Sequence, residues 1–176
     1  SNCYPGHTLH DGLAIVESTI DHCQGGGGNN GMYLTGQRLM ILGTSITDCD
    51  EVEHTLRTPW LEKAIISNSY LRASASANPQ LKLHAPGWDT PGLRYRHYSE
   101  QIIISDNVFQ SETNPWSVTP GPQNSGSDER VRNLILERNL FRSGPGTQVN
   151  LVIWARDVTV RNNVFDVDAG DRAVSI

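Results

Sequence analysis

Apolar residues recur along this chain in one eight-residue figure. It consists of a short apolar run, two spacers, a Ser, Thr or Asn, one spacer, and an apolar closer. The first three copies are Leu13-Ala-Ile15-Val-Glu-Ser18-Thr-Ile20, Leu39-Met-Ile41-Leu-Gly-Thr44-Ser-Ile46 and Ala64-Ile-Ile66-Ser-Asn-Ser69-Tyr-Leu71. Three more follow as Ile102-Ile-Ile104-Ser-Asp-Asn107-Val-Phe109, Leu134-Ile-Leu136-Glu-Arg-Asn139-Leu-Phe141 and Val158-Thr-Val160-Arg-Asn-Asn163-Val-Phe165. Successive starts lie 26, 25, 38, 32 and 24 residues apart. Self-similarity at a period in the twenties marks a repeat architecture. β-branched content and two-residue alternation make the unit a strand rather than a helix.

A second beat follows about a dozen residues after each Ser, Thr or Asn. It falls at Met32-Tyr33-Leu34, Leu56-Arg57-Thr58, Leu81-Lys82-Leu83, near Val118, at Leu151-Val-Ile153 and at Val174-Ser-Ile176. Two strand signals in a repeat of about 24 residues suit an all-β, right-handed parallel β-helix solenoid. The expectation is a single domain over residues 1–176 with six to seven coils stacked about 4.8 Å apart. The chain closes on a strand-like Ala173-Val-Ser-Ile176 without a polar cap, so further coils of a longer chain, or a partner over the open ends, are expected.

The three I-x-x-N-x-F-like turns, at Asn107, Asn139 and Asn163, resemble those of the pectate-lyase-like family of right-handed β-helices. The resemblance covers nearly the whole chain and implies a fold more specifically than an activity. Ser18, Thr44, Ser69, Asn107, Asn139 and Asn163 share one position. There they can bond to neighbouring coils and satisfy buried turn groups, and Asn also tolerates the left-handed conformation of sharp corners. Phe109, Phe141 and Phe165, with Ile20, Ile46 and Leu71 before them, are expected to stack in the core.

With 176 residues, 37% of them hydrophobic, the chain can bury one core. A net charge of −5 with no basic run argues against nucleic acid. Apolar stretches such as Leu39–Leu42 are far too short to cross a bilayer. No leader is visible at Ser1-Asn-Cys-Tyr-Pro-Gly. Cys23 and Cys49 each lie ten residues after a repeat start and should be neighbours on adjacent coils, either as a disulfide or as a pair of buried thiols. Cys3 has no obvious partner.

Gly25–Gly31 reads as a corner loop, since no Lys-Ser/Thr and no helix start follows. Two insertions, roughly His84 to Glu100 and Ser111 to Arg130, are long enough to face a ligand or partner. The first holds Arg94-Tyr95-Arg96-His97-Tyr98, where Tyr95 could stack on a sugar while Arg94 binds a carboxylate. Trp154 could offer a similar platform. A packed, structural role is open for each. His7, His10 and His22 read as ordinary surface residues.

The densest polar cluster is Asp48, Asp50, Glu51, Glu53, His54 and Arg57, joined across the repeat by Lys82 and His84. Aligning Leu56 with Leu81 puts Arg57 beside Lys82 on neighbouring rungs, pointing away from the core, with Tyr33 one rung below. A slip of one residue would turn Arg57 inward. Neutralising a uronate carboxylate acidifies its C5 proton, and a Lys, Arg or His can then remove it. Neighbouring cations disfavour each other's charged form, which suits a base.

Lyases of this fold commonly use Lys or Arg as base with calcium bridging the carboxylate, so the resemblance implies Ca2+ as cofactor. Asp48, Asp50, Glu51 and Glu53 could supply its oxygen ligands. The family's pattern is incomplete here. Arg57-Thr-Pro59-Trp60-Leu-Glu62 follows an R-x-P-x-x-R motif except that Glu62 replaces the last Arg, and the WxDH signature is missing. The expected function is a secreted or cell-surface carbohydrate-active protein. It acts as a lyase on an acidic polysaccharide, with Arg57, Lys82, His84 and His54 catalytic and Tyr33, Arg94, Tyr95 and Trp154 binding. The alternatives are a non-catalytic glycan-binding module and a rigid spacer of a larger assembly.

Overall fold

A computed structural model describes residues 12–22, 30–34, 37–49, 54–58, 61–73, 81–83, 101–111, 116–118, 131–143, 149–153, 155–167 and 172–175. Among these every regular element is a strand, and strands come three to a repeat, not two. The first repeat holds β1 (Gly12–Val16), β2 (Thr19–Asp21) and β3 (Asn30–Tyr33); the second holds β4 (Arg38–Leu42), β5 (Ser45–Cys49) and β6 (His54–Thr58). Then come β7 (Lys63–Ser67), β8 (Tyr70–Ala73) and β9 (Leu81–Leu83), followed by β10 (Gln101–Ser105), β11 (Val108–Ser111) and β12 (Trp116–Val118). The last two repeats are β13 (Val131–Glu137), β14 (Leu140–Ser143), β15 (Val149–Ile153), and β16 (Ala155–Arg161), β17 (Val164–Asp166), β18 (Arg172–Ser175). The second insertion thus contains a strand, β12.

Each strand pairs in parallel with its equivalent one repeat away. The first sheet runs β1-β4-β7-β10-β13-β16 and the second β2-β5-β8-β11-β14-β17. The third position forms two three-stranded sheets, β3-β6-β9 and β12-β15-β18, with β9 and β12 packed against each other. The chain is therefore all-β, built of parallel strands in stacked sheets that share one hydrophobic core.

The eight-residue figure spans two strands because its centre is a corner. The residue before each Ser, Thr or Asn is left-handed: Glu17 (φ 47°), Gly43 (59°), Asn68 (52°), Asp106 (58°), Arg138 (55°) and Asn162 (55°). The expected αL conformation thus falls one position earlier than the recurring polar residue suggests, and on Glu and Arg as well as Gly, Asn and Asp. Pairing continues through the corner, since Gly43 N donates to Ser67 O (3.1 Å) and Tyr70 N to Thr44 O (3.0 Å). That coil-to-coil bonding, rather than intrinsic preference, holds the αL residues in place.

The polar position itself forms the expected ladder. Ser69 N donates to Asn107 Oδ1 (2.9 Å), Asn107 N to Asn139 Oδ1 (3.0 Å) and Asn139 N to Asn163 Oδ1 (2.9 Å). The amides reach back as well: Asn107 Nδ2 donates to Ile66 O (2.8 Å), Asn139 Nδ2 to Ile104 O (2.9 Å) and Asn163 Nδ2 to Leu136 O (2.9 Å). Asn107 and Asn139 are buried, and these bonds meet the cost of placing an amide there. Beside the ladder Ile20, Ile46, Leu71, Phe109, Phe141 and Phe165 stand in one register row. The phenylalanines stack face to face at 5.0 and 5.2 Å between centroids.

Candidate functional site

The register of the third sheet places the central pair where the sequence puts it. Leu56 pairs with Leu81 and Arg57 with Lys82, while Tyr33 pairs with Arg57 on the other side. Met32, Leu56 and Leu81 are buried in the core, so by strand alternation Arg57 and Lys82 belong to the outer row, with Tyr33 at the register position beside Arg57.

Two expectations change. Every residue of β6 is buried, and Arg57 keeps only 8% of its surface. Its outward guanidinium is enclosed by protein rather than solvated, whereas Lys82 is half-buried. His54 shares the parity of Leu56 and is likewise buried, so it lies on the opposite side of β6 from Arg57 and does not join the pair. Closeness in sequence misleads here, because a strand sends odd and even positions to opposite sides.

Asp48 lies within β5 at positive φ (48°), where the pairing with β8 shifts register, with its carboxylate 3.6 Å from Arg72 Nε. Asp50, Glu51 and Glu53, the other proposed ligands, lie outside the described residues, as do His84, Arg94, Tyr95 and Trp154. Among the described residues no group of three His, Cys, Asp or Glu side chains converges. Cys23 also lies outside them. His22 is an exposed surface residue, paired at 2.8 Å with Asp21.

Among the described residues, a network of charge pairs lies at the corner between the first and second sheets. Arg138 grips Asp106 with two hydrogen bonds, Nε to Oδ1 (2.7 Å) and Nη2 to Oδ2 (2.8 Å), and reaches Glu137 at 2.9 Å. Arg161 Nε donates to the same Glu137 at 2.6 Å. The bonds from Arg138 hold the Asp106 carboxyl below its ordinary range, and those from Arg161 and then Arg138 do so for Glu137. Asp106 and Glu137 in turn raise the Arg138 guanidinium further. Asp21 is lowered chiefly by the Thr47 hydroxyl, which donates to it at 2.6 Å, and then by His22. These groups are surface staples joining adjacent coils.

One feature of the first sheet was not anticipated from the sequence. Its outer face carries its own apolar row, with Ala14, Met40, Ile65, Ile103 and Ile135 paired in series. Met40 and Ile65 keep 39% and 40% of their surface. The signal lies in the unbroken apolar runs Leu39-Met-Ile41-Leu, Ala64-Ile-Ile66 and Ile102-Ile-Ile104. Such runs depart from the alternation of a strand with one wet face and mark one covered on both. Comparison of the chain with family models, with curated proteins and with solved structures returned no match to any of them.

Proposed function

We propose that this protein engages an acidic polysaccharide along the outer row Tyr33–Arg57–Lys82 and acts on it as a lyase. The observation that carries the reading is the register that sets Arg57 directly beside Lys82. The architecture it assumes is a closed right-handed coil of the pectate-lyase-like kind, supported by the strong right-handed preference of parallel crossovers. Arg57 keeps 8% of its surface, and a sugar carboxylate would meet its guanidinium through that remaining surface. Arg57 neutralises the uronate group and Lys82 takes the C5 proton. The released electron pair forms the C4–C5 double bond as the C4–O bond breaks, and the departing oxygen takes a proton from water. A secreted or cell-surface location accords with that substrate.

A second reading, recognition of the same glycan without turnover, is favoured by the enclosure of Arg57 and the placement of His54 on the other side of β6. Incubation with polygalacturonate, alginate and chondroitin, followed by ultraviolet absorbance of the unsaturated uronate, separates the two. Lyase activity requires an absorbance rise that Lys82→Ala abolishes while the far-ultraviolet circular dichroism is unchanged. Binding that weakens in Lys82→Ala without any absorbance rise selects recognition. Neither signal on any of the three polymers rejects the acidic-glycan reading altogether.

A further inference from the structure

The first and second sheets run unbroken through all six repeats, whereas the third stops between β9 and β12. The two repeats that meet there are firmly joined elsewhere. Strands β7 and β10 pair along Lys63–Ser67 and Gln101–Ser105, and β8 and β11 along Tyr70–Ala73 and Val108–Ser111. At the corner between those sheets Asn68 N donates to Ser105 O (3.1 Å), Val108 N to Ser69 O (2.9 Å) and Asn107 Nδ2 to Ile66 O (2.8 Å). Tyr70 Oη donates to Gln110 Oε1 (3.0 Å), and the Ser67 and Ser105 hydroxyls bond to each other (3.0 Å). Strands β9 and β12 lie against each other, yet no ladder of backbone bonds joins them. We infer that the third sheet opens at this seam, with the ladder corner as the fixed spine, and that an acidic polymer held at Arg57 and Lys82 keeps the seam shut. The seam stands on the backbone bonding alone, while the effect of the polymer rests on the function proposed above.

Paired parallel strands are held by a row of evenly spaced N–H···O=C bonds, which resist separation and sliding together. At the seam that row is missing, and side-chain packing closes the wall instead. Leu81 and Leu83 face the core from β9 and are both buried. Apolar contact is non-directional, so it fixes neither the register nor the spacing of two edges as a ladder does. Parting the two repeats at the first or second sheet breaks a full row of hydrogen bonds, whereas parting them at the seam breaks no ladder bond. Openings of the second kind belong to the low end of a protein's range of local stabilities. The two continuous sheets and the bonded corner supply the hinge about which the gap widens.

The seam borders the candidate site. Lys82 lies on β9, the lip, and Arg57 lies one strand further in, on β6, which is paired on both sides. Movement of the lip therefore shifts Lys82 more than Arg57. Equivalent positions of successive repeats line up along the stack, so a polymer held at this pair and continuing along the row crosses from β9 to β12. A chain bound on both sides of the gap favours the closed state by its greater affinity for it.

Thiol labelling of single variants, read by peptide mass spectrometry, tests the seam. Leu81→Cys and Leu83→Cys place a thiol at it, and Leu71→Cys, Ile104→Cys and Leu56→Cys serve as controls. All five positions are buried. Leu71 and Ile104 belong to the second and first sheets of the same two repeats, and Leu56 to β6, inside the third sheet. A buried thiol reacts with a disulfide reagent when the structure opens around it. The two seam variants are expected to react about tenfold faster or more than the controls, at rates that urea well below the unfolding midpoint hardly changes. Equal rates at all five positions overturn the seam. So does equally fast reaction of Leu56→Cys, which would make the whole third sheet loose. Saturation with polygalacturonate, alginate or chondroitin, whichever binds, is expected to slow the labelling of Leu81→Cys by about threefold or more. Binding that leaves this rate unchanged overturns the clamping step. If none of the three binds, the proposed function falls and the clamping step with it, while the rates without polymer still decide the seam.

Discussion

At each corner two neighbouring residues divide the work. One adopts the αL backbone and the next supplies the hydrogen bonds. Asn139 is a bond supplier. It accepts from Asn107 N and Asn107 Nδ2, donates to Ile104 O and Asn163 Oδ1, and is buried. Asn139→Ala strands donors and acceptors on both adjoining coils and should cost about 2–4 kcal/mol, read from urea unfolding. Gly43 is a backbone turner. At φ 59° a side chain is strained even where space exists, the nearest side-chain atom to an added Cβ being Glu17 Cγ at 3.6 Å. Gly43→Ala should therefore lose about 1 kcal/mol by the same measurement, and an unchanged midpoint would contradict the backbone account. The ladder was legible in the sequence because its spacing is rigid. The αL residue was displaced by one position because Glu17 and Arg138 carry no compositional sign of a left-handed backbone.

Elements add cooperation that single residues lack. Phe141 lies between Phe109 and Phe165 and is 1% exposed, while Phe165 is only half-buried. Phe141→Ala should cost about 3–5 kcal/mol and clearly more than Phe165→Ala, since the inner cavity is closed on both sides. The stack was readable from sequence as three equivalent aromatics. The bulge-like pair Asn133 and Asp157, both at positive φ and skipped in the pairing of β13 with β16, was not. It replaces no apolar residue, so the hydrophobic figure passes it by.

The carboxylates at the corners add a pH dependence at this same scale. Asp106 and Glu137 have folded values below the unfolded carboxylate range. Their contribution is therefore whole above about pH 5 and is lost as pH falls through the unfolded and then the folded values. Arg138→Ala should lower the melting temperature at pH 7, and the gap from the unaltered protein should narrow as acid protonates Asp106 and Glu137. A gap that persists unchanged in acid would assign the effect of Arg138 to packing instead.

The molecule as a unit turns one-dimensional repetition into faces. Stacking at a fixed register lines up equivalent positions of successive coils, so one outward residue per strand becomes a row. That step produces both the Arg57–Lys82 pair and the apolar groove of the first sheet. Among the described residues strand pairing runs between neighbouring repeats, so damage should propagate locally. Native-state hydrogen exchange of Asn139→Ala should show faster exchange in β10–β17 with β1–β5 nearly unchanged; uniform acceleration along the stack would mean a single cooperative unit.

The amino-acid order alone specified strands, their repeat, the corner ladder, the aromatic row and the Arg57–Lys82 register. Each of these depends on spacing, and spacing survives in one dimension. Burial was decided only by folding. Arg57 is enclosed and Met40 and Ile65 are bare because exposure depends on what lies over a face, and no count along one strand contains that. The side of β6 taken by His54 follows from alternation, yet which side met the core depended on the neighbouring sheets closing over Leu56.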